Sequence, residues 1–193
     1  MTRQARGRER RAAIVAAAGR VLIRDGVAAL THRAVAAEAG VPLGSTTYYF
    51  ADRPELVRAA VTELLAQERE RRAGVAVPDG DPSRVAERLT ALVIPPAFPA
   101  RSEVALLYER LAGALRDPEL ALLLRADAGD LRLNVARLLG PIGLEERADM
   151  VASLLDGRVI QWLGGEGDRG ELDARVADDL RWLAAAGRGN LRS

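Results

Sequence analysis

Cysteine and lysine are both absent from this chain, and it has a single histidine, His32. Without cysteine there can be no disulfide and no cysteine-based zinc site, which fits a reducing cytoplasm. Because His32 has no second histidine or cysteine as a partner, we expect no metal site and no cofactor.

Aromatic residues make up only 4% of the chain against 49% hydrophobic residues, so the core is built from Leu, Val and Ala. Such a composition suits helices better than sheets.

Long hydrophobic runs are also missing. No run reaches the roughly 18 apolar residues that cross a bilayer, and the arginines within the Ala-rich N-terminal segment exclude a secretory signal. We therefore expect a cytoplasmic protein with no membrane partner.

The sequence also lacks a recognisable catalytic motif. His32 is too isolated to complete a hydrolase triad, and adjacent carboxylates such as Glu145 and Glu146 point to different parts of a helix surface. The pattern GxGxxG at residues 165–170 follows a predicted helix instead of a strand, so it predicts a flexible loop and not a dinucleotide site. We expect no enzymatic activity.

Charge is distributed unevenly along the 193 residues, although the net charge is only +1. Residues 1–53 carry nine arginines and four acidic residues, a balance of +5, and the remaining 140 residues sum to −4. A polyanionic partner for the N-terminal part is the simplest physical explanation. Residues 1–11 hold five of these arginines. They predict either a frayed, solvated terminus or a flexible arm laid along DNA.

Apolar residues recur with helical spacing along most of the chain, without strand alternation or internal repeats. The sequence therefore predicts an all-α fold of about nine helices. These lie at about residues 8–25, 32–39, 43–50, 53–73, 83–94, 102–116, 118–139, 144–164 and 171–186, and residues 187–193 are expected to fray. At the start of the fourth helix, Asp52 as the N-cap and Glu55 three residues later predict a capping box.

Residues 30–50 predict two short helices joined by a tight turn. Thr31 is a good N-cap, Gly40 suits the left-handed residue that ends a helix, and Pro42 fits the start of the next helix. Such a pair is typical of a helix-turn-helix, whose second helix enters the major groove of DNA. Hydroxyl side chains that can bond phosphates and base edges follow at Ser45, Thr46, Thr47, Tyr48 and Tyr49. From the residues alone, a turn in an ordinary helical bundle remains an equal alternative.

The order and spacing of the residues in this stretch are more specific evidence than the pair of short helices. The pattern Leu30-Thr31-x-Arg33-x-Val35-Ala36-x-x-Ala39-Gly40-Val41-Pro42-x-Gly44-Ser45, then Tyr48-Tyr49-Phe50 and Arg53-x-Glu55-Leu56, resembles the DNA-binding signature of the TetR family of bacterial transcriptional regulators. The resemblance implies a three-helix DNA-binding domain at residues 1–53 and a ligand-binding and dimerisation domain at residues 54–193. The family usually has Leu-Tyr where this chain has Thr46-Thr47, and Lys where it has Arg53.

Carried over position by position, the resemblance implies a set of DNA-contacting residues. Arg33 and residues 43–45 would face base edges, and His32 would lie near the DNA backbone. The residues that would hold phosphates are Thr31, Thr47, Tyr48, Tyr49 and Arg53. Thr46 replaces a packing residue. The predicted DNA-binding residues are Thr31, His32, Arg33, Leu43, Gly44, Ser45, Thr46, Thr47, Tyr48, Tyr49 and Arg53.

The last two predicted helices carry strong apolar stripes, which are an internal core face or, as the resemblance implies, half of a four-helix bundle with a second subunit. Met150, Ile160 and Trp182 lie off these stripes, so each helix has apolar surface on more than one side. The predicted dimer-interface residues are Val151, Leu155, Val159, Trp162, Val176, Leu180 and Leu183.

A ligand pocket is expected among the helices between Leu64 and Trp162, although for any single candidate an ordinary core residue is the favoured interpretation. The candidates are Leu64, Phe98, Tyr108, Glu109, Leu111, Gln161 and Trp162. The resemblance thus implies a homodimeric regulator, most simply a repressor, that a small-molecule effector releases from double-stranded operator DNA. A helical dimer that binds small molecules or proteins without DNA is the alternative.

Overall fold

The structure, a computed structural model, describes residues 3–98 and 100–189, with only the backbone for residues 3 and 187–189. Those residues form helices and turns without a β-strand, which confirms the predicted all-α fold. The α-helices of the described part are α1 (Arg3–Asp25), α2 (His32–Ala39), α3 (Leu43–Tyr49), α4 (Arg53–Ala73), α5 (Pro82–Val93), α6 (Arg101–Ala114), α7 (Pro118–Leu139), α8 (Ala148–Leu163) and α9 (Arg169–Gly189).

The first helix is longer than the sequence suggested. It begins at Arg3 and passes through Gly7, which lies before the predicted start at residue 8. The frayed terminus or flexible arm expected at residues 1–11 is therefore wrong from residue 3 onward, while residues 1 and 2 lie outside the described part. At the other end α9 continues to Gly189, past the predicted limit at residue 186. The remaining residues predicted to fray, 190–193, are also outside the description.

Side-chain caps begin α4, where the sequence predicted one, and α5, where it did not. Ahead of α4, the Asp52 carboxylate accepts from the Glu55 N–H at 2.8 Å. In return, Glu55 accepts from the Ala51 N–H at 2.7 Å, so the predicted capping box is present with its return bond one residue earlier. At α5 the Asp81 carboxylate accepts from the Ser83 N–H at 3.0 Å. These bonds satisfy amides that the first helical turn leaves without a partner.

The chain forms two compact units. One comprises the part up to Glu68 together with Leu107–Ala126, and the other comprises Arg69–Leu106 together with the part from Asp127 onward. The boundaries fall inside α4, α6 and α7. The domain boundary expected after residue 53 rests on the family resemblance and stays a prediction.

The N-terminal unit is built on one apolar core to which α1, α2 and α4 contribute. Phe50, directly after α3, is fully buried and contacts the guanidinium of Arg11 over its ring at 5.0 Å. Removing such side chains from water contributes about 1.5–3 kcal/mol each. The largest members of this core are Ile14, Val15, Val21, Leu22, Leu30, Val35, Phe50, Leu56, Val57, Val61, Leu65 and Leu120.

In the second unit α5, α8 and α9 pack together, and polar bonds fix their register. Arg158 on α8 binds Asp179 on α9 through two bonds of 2.7 Å, and these raise the pKa of Arg158. Thr90 on α5 donates to the carboxylate of Asp173 on α9. Burial is the main reason that the pKa of Asp173 is raised.

A buried ion pair joins α4 to α7 within the second unit. Asp127 accepts from Arg72 at 2.7 Å and lies 3.2 Å from the Nε of Arg69. The side chains of Asp127 and Arg72 are only 9% and 12% exposed. Further along α7, Arg137 donates to the carbonyls of Val75 and Arg72, and these bonds cap the carboxyl end of α4.

Candidate nucleic-acid interface

Helices α2 and α3 form a helix-turn-helix whose turn is fixed by backbone bonds. Thr31 accepts from the Ala34 N–H at 3.1 Å, as an N-cap should. Gly40 ends α2 in the left-handed conformation, with φ 64° and ψ 34°. Its N–H donates to Ala37, and the Val41 N–H donates to Ala36 at 3.0 Å, which is the Schellman pattern. The predicted local structure of residues 31–42 is thus confirmed.

The helix α3 has one buried and one exposed side. Thr46 and Phe50 face the core with no exposed surface. On the opposite side Leu43, Gly44, Thr47 and Tyr48 are exposed, and the Tyr48 side chain is 81% exposed. An added Cβ at Gly44 would meet nothing within 4 Å, so this side leaves room for a partner. The exposed face carries no acidic residue.

Thr46 is the one predicted DNA-binding residue that its burial excludes from direct contact. Its hydroxyl donates to the Leu43 carbonyl at 2.8 Å and lies 3.5 Å from the His32 carbonyl. The predicted replacement of a packing residue is therefore the role the structure gives it, because the hydroxyl is satisfied inside the unit. Its assignment as a DNA contact is corrected accordingly.

Arg53 is exposed but already bonded. Its Nε donates to the Leu30 carbonyl at 2.9 Å and its Nη2 donates to the Val27 carbonyl at 2.5 Å. These bonds tie the start of α4 to the segment before α2. Arg53 thereby positions the helix-turn-helix, and its Nη1 has no bond among the described residues.

The other predicted members lie around the same surface. Arg33 is exposed and has neither an ion pair nor a hydrogen bond among the described residues. His32 is half-buried, and its Nδ1 is buried without a hydrogen-bond partner within the described part. Ser45 and Tyr49 are half-buried, and Thr31 and Thr47 are exposed. Exposure leaves all of these except the His32 Nδ1 able to reach a ligand.

Tyr49 turns toward the beginning of α1. A Cβ built at Gly7 would stand 3.7 Å from the Tyr49 hydroxyl, and the rings of Tyr48 and Tyr49 meet edge to face at 5.0 Å. An open groove of about 890 Å³ runs between α1 and α3. Its lining residues are Gln4, Arg6, Gly7, Glu9, Arg10, Tyr48 and Tyr49. Sequence reasoning missed this groove because it began the helix after Gly7.

The acidic residue of α2, Glu38, is ion-paired with two arginines of α1. Glu38 accepts from Arg20 at 2.7 Å and from Arg24 at 2.9 Å, both on α1. The hydrogen bond from Arg20, followed by that from Arg24, holds the pKa of Glu38 below its usual value. Bonds with Asp25 and then Glu38 raise the pKa of Arg24. The carboxylate therefore does not oppose a polyanion at the helix-turn-helix.

The predicted ligand-binding residues are divided between the two units. Leu64, Tyr108, Glu109 and Leu111 belong to the N-terminal unit, where Leu64 packs against Gly19 of α1. Phe98, Gln161 and Trp162 belong to the second unit. Their role as a ligand site stays a prediction.

Gln161 and Trp162 line a small cavity of about 50 Å³ in the second unit. The Trp162 indole donates to the carbonyls of Gly167 and Asp168, and the Arg101 guanidinium lies 5.1 Å from its ring. These bonds hold the loop between α8 and α9, residues 164–168, which follows a helix and not a strand. The predicted loop at residues 165–170 is therefore wrong at its last two residues, Arg169 and Gly170, which begin α9. Ligand pockets for drug-sized molecules are roughly 300–1,000 Å³, so this cavity is too small for one.

The apolar stripes of α8 and α9 face the protomer's own core. Six of the seven predicted dimer-interface residues are 0–3% exposed within the single chain, and only Trp162 is partly exposed. Side chains that are already buried can lose no further surface to a partner, which corrects their assignment. The six buried members are Val151, Leu155, Val159, Val176, Leu180 and Leu183.

The fold and the site define a helical protein with an N-terminal helix-turn-helix and a second helical unit. Two family models match the chain: "Bacterial regulatory proteins, tetR family" over residues 14–60 and "Tetracyclin repressor-like, C-terminal domain" over residues 80–187. Among curated proteins, none matches.

Solved structures agree with the family models. The multidrug binding protein EbrR, crystallised with imidazole, is 33% identical with a TM-score of 0.62, over 89% of this chain and 94% of EbrR. A TetR-family member, SCO1917 from Streptomyces coelicolor A3, is 36% identical with a TM-score of 0.60, over 89% and 98% of the two chains. A regulator from Rhodococcus sp. Rha1 has a TM-score of 0.69 over 90% and 95%, but at 23% identity it supports the fold alone.

The chain belongs to the TetR family and is a transcriptional regulator of that class, with a helix-turn-helix DNA-binding domain and a tetracyclin repressor-like C-terminal domain. Regulators of this family are DNA-binding proteins without enzymatic activity. None of the helices described is both long and apolar enough to cross a membrane. Within residues 3–98 and 100–189, no group of three or more His, Cys, Asp or Glu side chains could hold a metal ion.

Proposed function

We propose that this protein is a homodimeric repressor that binds operator DNA through α2 and α3 and leaves it when a small molecule binds. The exposed face of α3 carries this proposal. It is free of acidic residues, it presents hydroxyl groups, and the Tyr48 ring stands almost fully in solvent. An exposed aromatic side chain with a polar tip suits a surface that a partner covers.

The exposed face of α3 and the neighbouring residues of α2 and α4 make two kinds of contact with DNA. Arg33 and the backbone of residues 43–45 reach base edges, because a guanidinium can bond guanine through two nitrogens. The hydroxyls of Thr31, Thr47 and Tyr48, with the free Nη group of Arg53, bind phosphates and fix the orientation. Thr46 stays in the core behind them.

Dimerisation uses the outward sides of α8 and α9. Met150 and Ile160 on α8 and Trp182 on α9 are exposed apolar residues, and Trp182 is 70% exposed. Between the first two, Ser153 and Gly157 are small, and a Cβ added at Gly157 meets nothing within 4 Å, so a second helix can approach closely. A two-fold dimer of this kind places the two α3 helices about 34–36 Å apart, one turn of DNA.

The effector class follows from a relative. EbrR has been crystallised with malachite green, proflavin and ethidium, which are all aromatic cations. We extend this class to the present chain, with Tyr108 and Glu109 as the candidates for ring and carboxylate contacts. A ligand that prefers the released form by about 100-fold shifts the equilibrium by about 2.7 kcal/mol.

DNA binding is tested by fluorescence anisotropy with duplexes from the region upstream of the protein's own gene. Tyr48→Ala removes the exposed ring and should weaken binding at least tenfold with unchanged circular dichroism. Arg116→Ala, an exposed arginine without a partner among the described residues, is the control. If no duplex binds at any salt concentration, the protein is a dimeric ligand-binding or interaction module instead.

Dimerisation is tested by sedimentation. Ile160→Asp and Trp182→Asp place a charge on the proposed interface and should yield monomers. Leu115→Asp changes a leucine that is 55% exposed in the N-terminal unit and should leave the dimer intact. Monomers in the unmodified protein at micromolar concentration would refute this part of the proposal.

Ligand release needs two measurements, because ethidium also intercalates into duplex DNA. Binding is first followed by ethidium fluorescence on the protein without DNA, comparing Glu109→Gln with Glu70→Gln as a control of equal charge change. Release is then followed on the DNA complex beside an unrelated DNA-binding protein. Equal loss of both complexes would mean that the dye acts on the DNA and not on this regulator.

A further inference from the structure

The first turns of α1 extend past the N-terminal core as a positively charged helix. Buried side chains of α1 begin only at Ile14, and residues 4–13 are exposed apart from the half-buried Ala5 and Gly7. Residues 4–11, here called the basic segment, contain four arginines and Glu9, a net charge of +3. About three helical turns thus lie beyond the core, with little apolar contact to hold them.

The positive charges of the basic segment destabilise the helix on which they lie. The amino end of a helix has a positive dipole that favours acidic side chains, but α1 has none in its first turn. Arg6 and Arg10 are one turn apart on the same face, and like charges at this spacing repel each other. Neither arginine has an ion pair or a hydrogen bond among the described residues. A bound polyanion would relieve both effects.

The basic segment lies beside the exposed face of α3. The hydroxyl of Tyr49 approaches the backbone at Gly7, where an added Cβ would stand 3.7 Å from it. Arg6 and Arg10 line the groove of about 890 Å³ together with Tyr48 and Tyr49. Glu9 also lines this groove, so the two arginines outweigh a single carboxylate there.

We propose that Arg6 and Arg10, with the hydroxyls of Tyr48 and Tyr49, form a second DNA contact in which the helical basic segment holds the phosphate backbone next to the half-site of α3. This inference rests on the proposed DNA-binding function and adds residues to it. The spacing of Arg6 and Arg10, about 5–6 Å between Cβ atoms, allows them to reach neighbouring phosphates. Because phosphates carry no sequence information, the contact adds affinity without specificity.

The test is the salt dependence of DNA binding for Arg6→Gln/Arg10→Gln in the full-length protein. Each lost phosphate contact reduces the slope of log K against log salt by about 1, so the slope should fall by about 2 per protomer. Affinity at 100 mM salt should drop at least tenfold. The ratio between operator and scrambled duplex should not change, whereas loss of a base contact would lower it.

Two further variants separate this contact from a general effect of charge or folding. Arg88→Gln/Arg125→Gln removes the same charge from exposed arginines elsewhere, and its slope should match the unmodified protein. Arg6→Lys/Arg10→Lys keeps the charge and should restore the slope. The thermal stability of the glutamine variant should be unchanged or higher, because like-charge repulsion is relieved.

Each result has a defined meaning. If the unmodified protein binds DNA and Arg6→Gln/Arg10→Gln has the same slope as the Arg88 and Arg125 control, the second contact is refuted and the proposed function stands. If the unmodified protein binds no duplex, the proposed function fails and this inference fails with it. A change in the operator-to-scrambled ratio would make Arg6 and Arg10 base contacts, which also overturns it.

Discussion

The guanidinium of Arg110 on α6 lies against the backbone of Gly26, just after α1, in the N-terminal unit. Its Nη2 donates to the Arg24 carbonyl at 3.1 Å, and its Nε is buried without a hydrogen-bond partner within the described part. Gly26 has φ 82° and ψ 174°, a conformation that is essentially restricted to glycine. A Cβ added there would also stand 3.2 Å from the Cδ and Cζ of Arg110 and closer still to Nη1.

Gly26→Ala should therefore destabilise the protein. The strained backbone alone costs about 1–3 kcal/mol, and displacement of Arg110 adds to it. Urea unfolding followed by circular dichroism measures the change. Gly129→Ala, within α7, is the control, because a Cβ there meets nothing within 4 Å and alanine stabilises a helix interior by about 0.5–1 kcal/mol. Equal stability of the two variants would contradict the strain at Gly26.

Thr46→Val should lower mainly the stability, whereas Thr47→Val should lower mainly the DNA affinity. Valine at 46 keeps the buried volume but removes the hydroxyl bonded to Leu43, which costs about 1 kcal/mol of stability with little change in DNA affinity. Valine at 47 alters an exposed hydroxyl, so stability should change by less than about 0.5 kcal/mol while DNA affinity falls. Urea unfolding and anisotropy on the same samples measure both. A large loss of DNA affinity in Thr46→Val without loss of stability would return Thr46 to the DNA surface.

Asp127→Asn should cost about 3 kcal/mol, because it leaves Arg72 buried beside a neutral partner. The matched control is Asp149→Asn, whose ion pair with Arg132 has side chains 79% and 51% exposed. Exposed pairs of this kind contribute only about 0–1 kcal/mol. Chemical denaturation at neutral pH compares the two, and similar losses would show that burial of the pair does not determine its contribution.

Glu38 should make folding sensitive to acid. Its pKa in the folded protein is lowered from 4.5, so its contribution to stability is present above about pH 4.5 and is lost as the pH falls through the lowered value. Glu38→Gln should accordingly be less stable than the unmodified protein at neutral pH, and the difference should shrink below pH 4.5. Unfolding midpoints between pH 3 and 7 measure this. A difference that stays constant with pH would exclude the carboxylate charge as its cause.

Local structure was predictable because its causes lie within a few residues. The Thr31 cap, the left-handed Gly40 and the bonds between Asp52 and Glu55 each need only a short stretch of chain. They were predicted from residue type and then observed. Gly7 is the exception among these local predictions. A glycine near a helix end usually marks a boundary, but here the helix continues and the Tyr49 hydroxyl occupies the space beside it.

The side of a helix that is buried, and the partner that buries it, could not be predicted in the same way. The stripe of Val151, Leu155 and Val159 has the spacing of a buried face, and spacing alone does not distinguish the protomer's own core from a partner subunit. Likewise, Thr46 lies among hydroxyl residues of one helix, yet it alone points inward. Which side of a helix is covered depends on elements that are distant in sequence.

The amino-acid sequence by itself determined the helical fold, the two short helices with their tight turn at residues 31–49 and the basic N-terminal part, since residue type, short-range spacing and charge are sufficient for each. Only the tertiary structure decided that Thr46 is buried, that Arg53 is bonded to backbone carbonyls, and that Arg6 and Arg10 stand beside Tyr48 and Tyr49. The physical reason is that burial and proximity arise from packing between segments far apart in the chain, which no local pattern records.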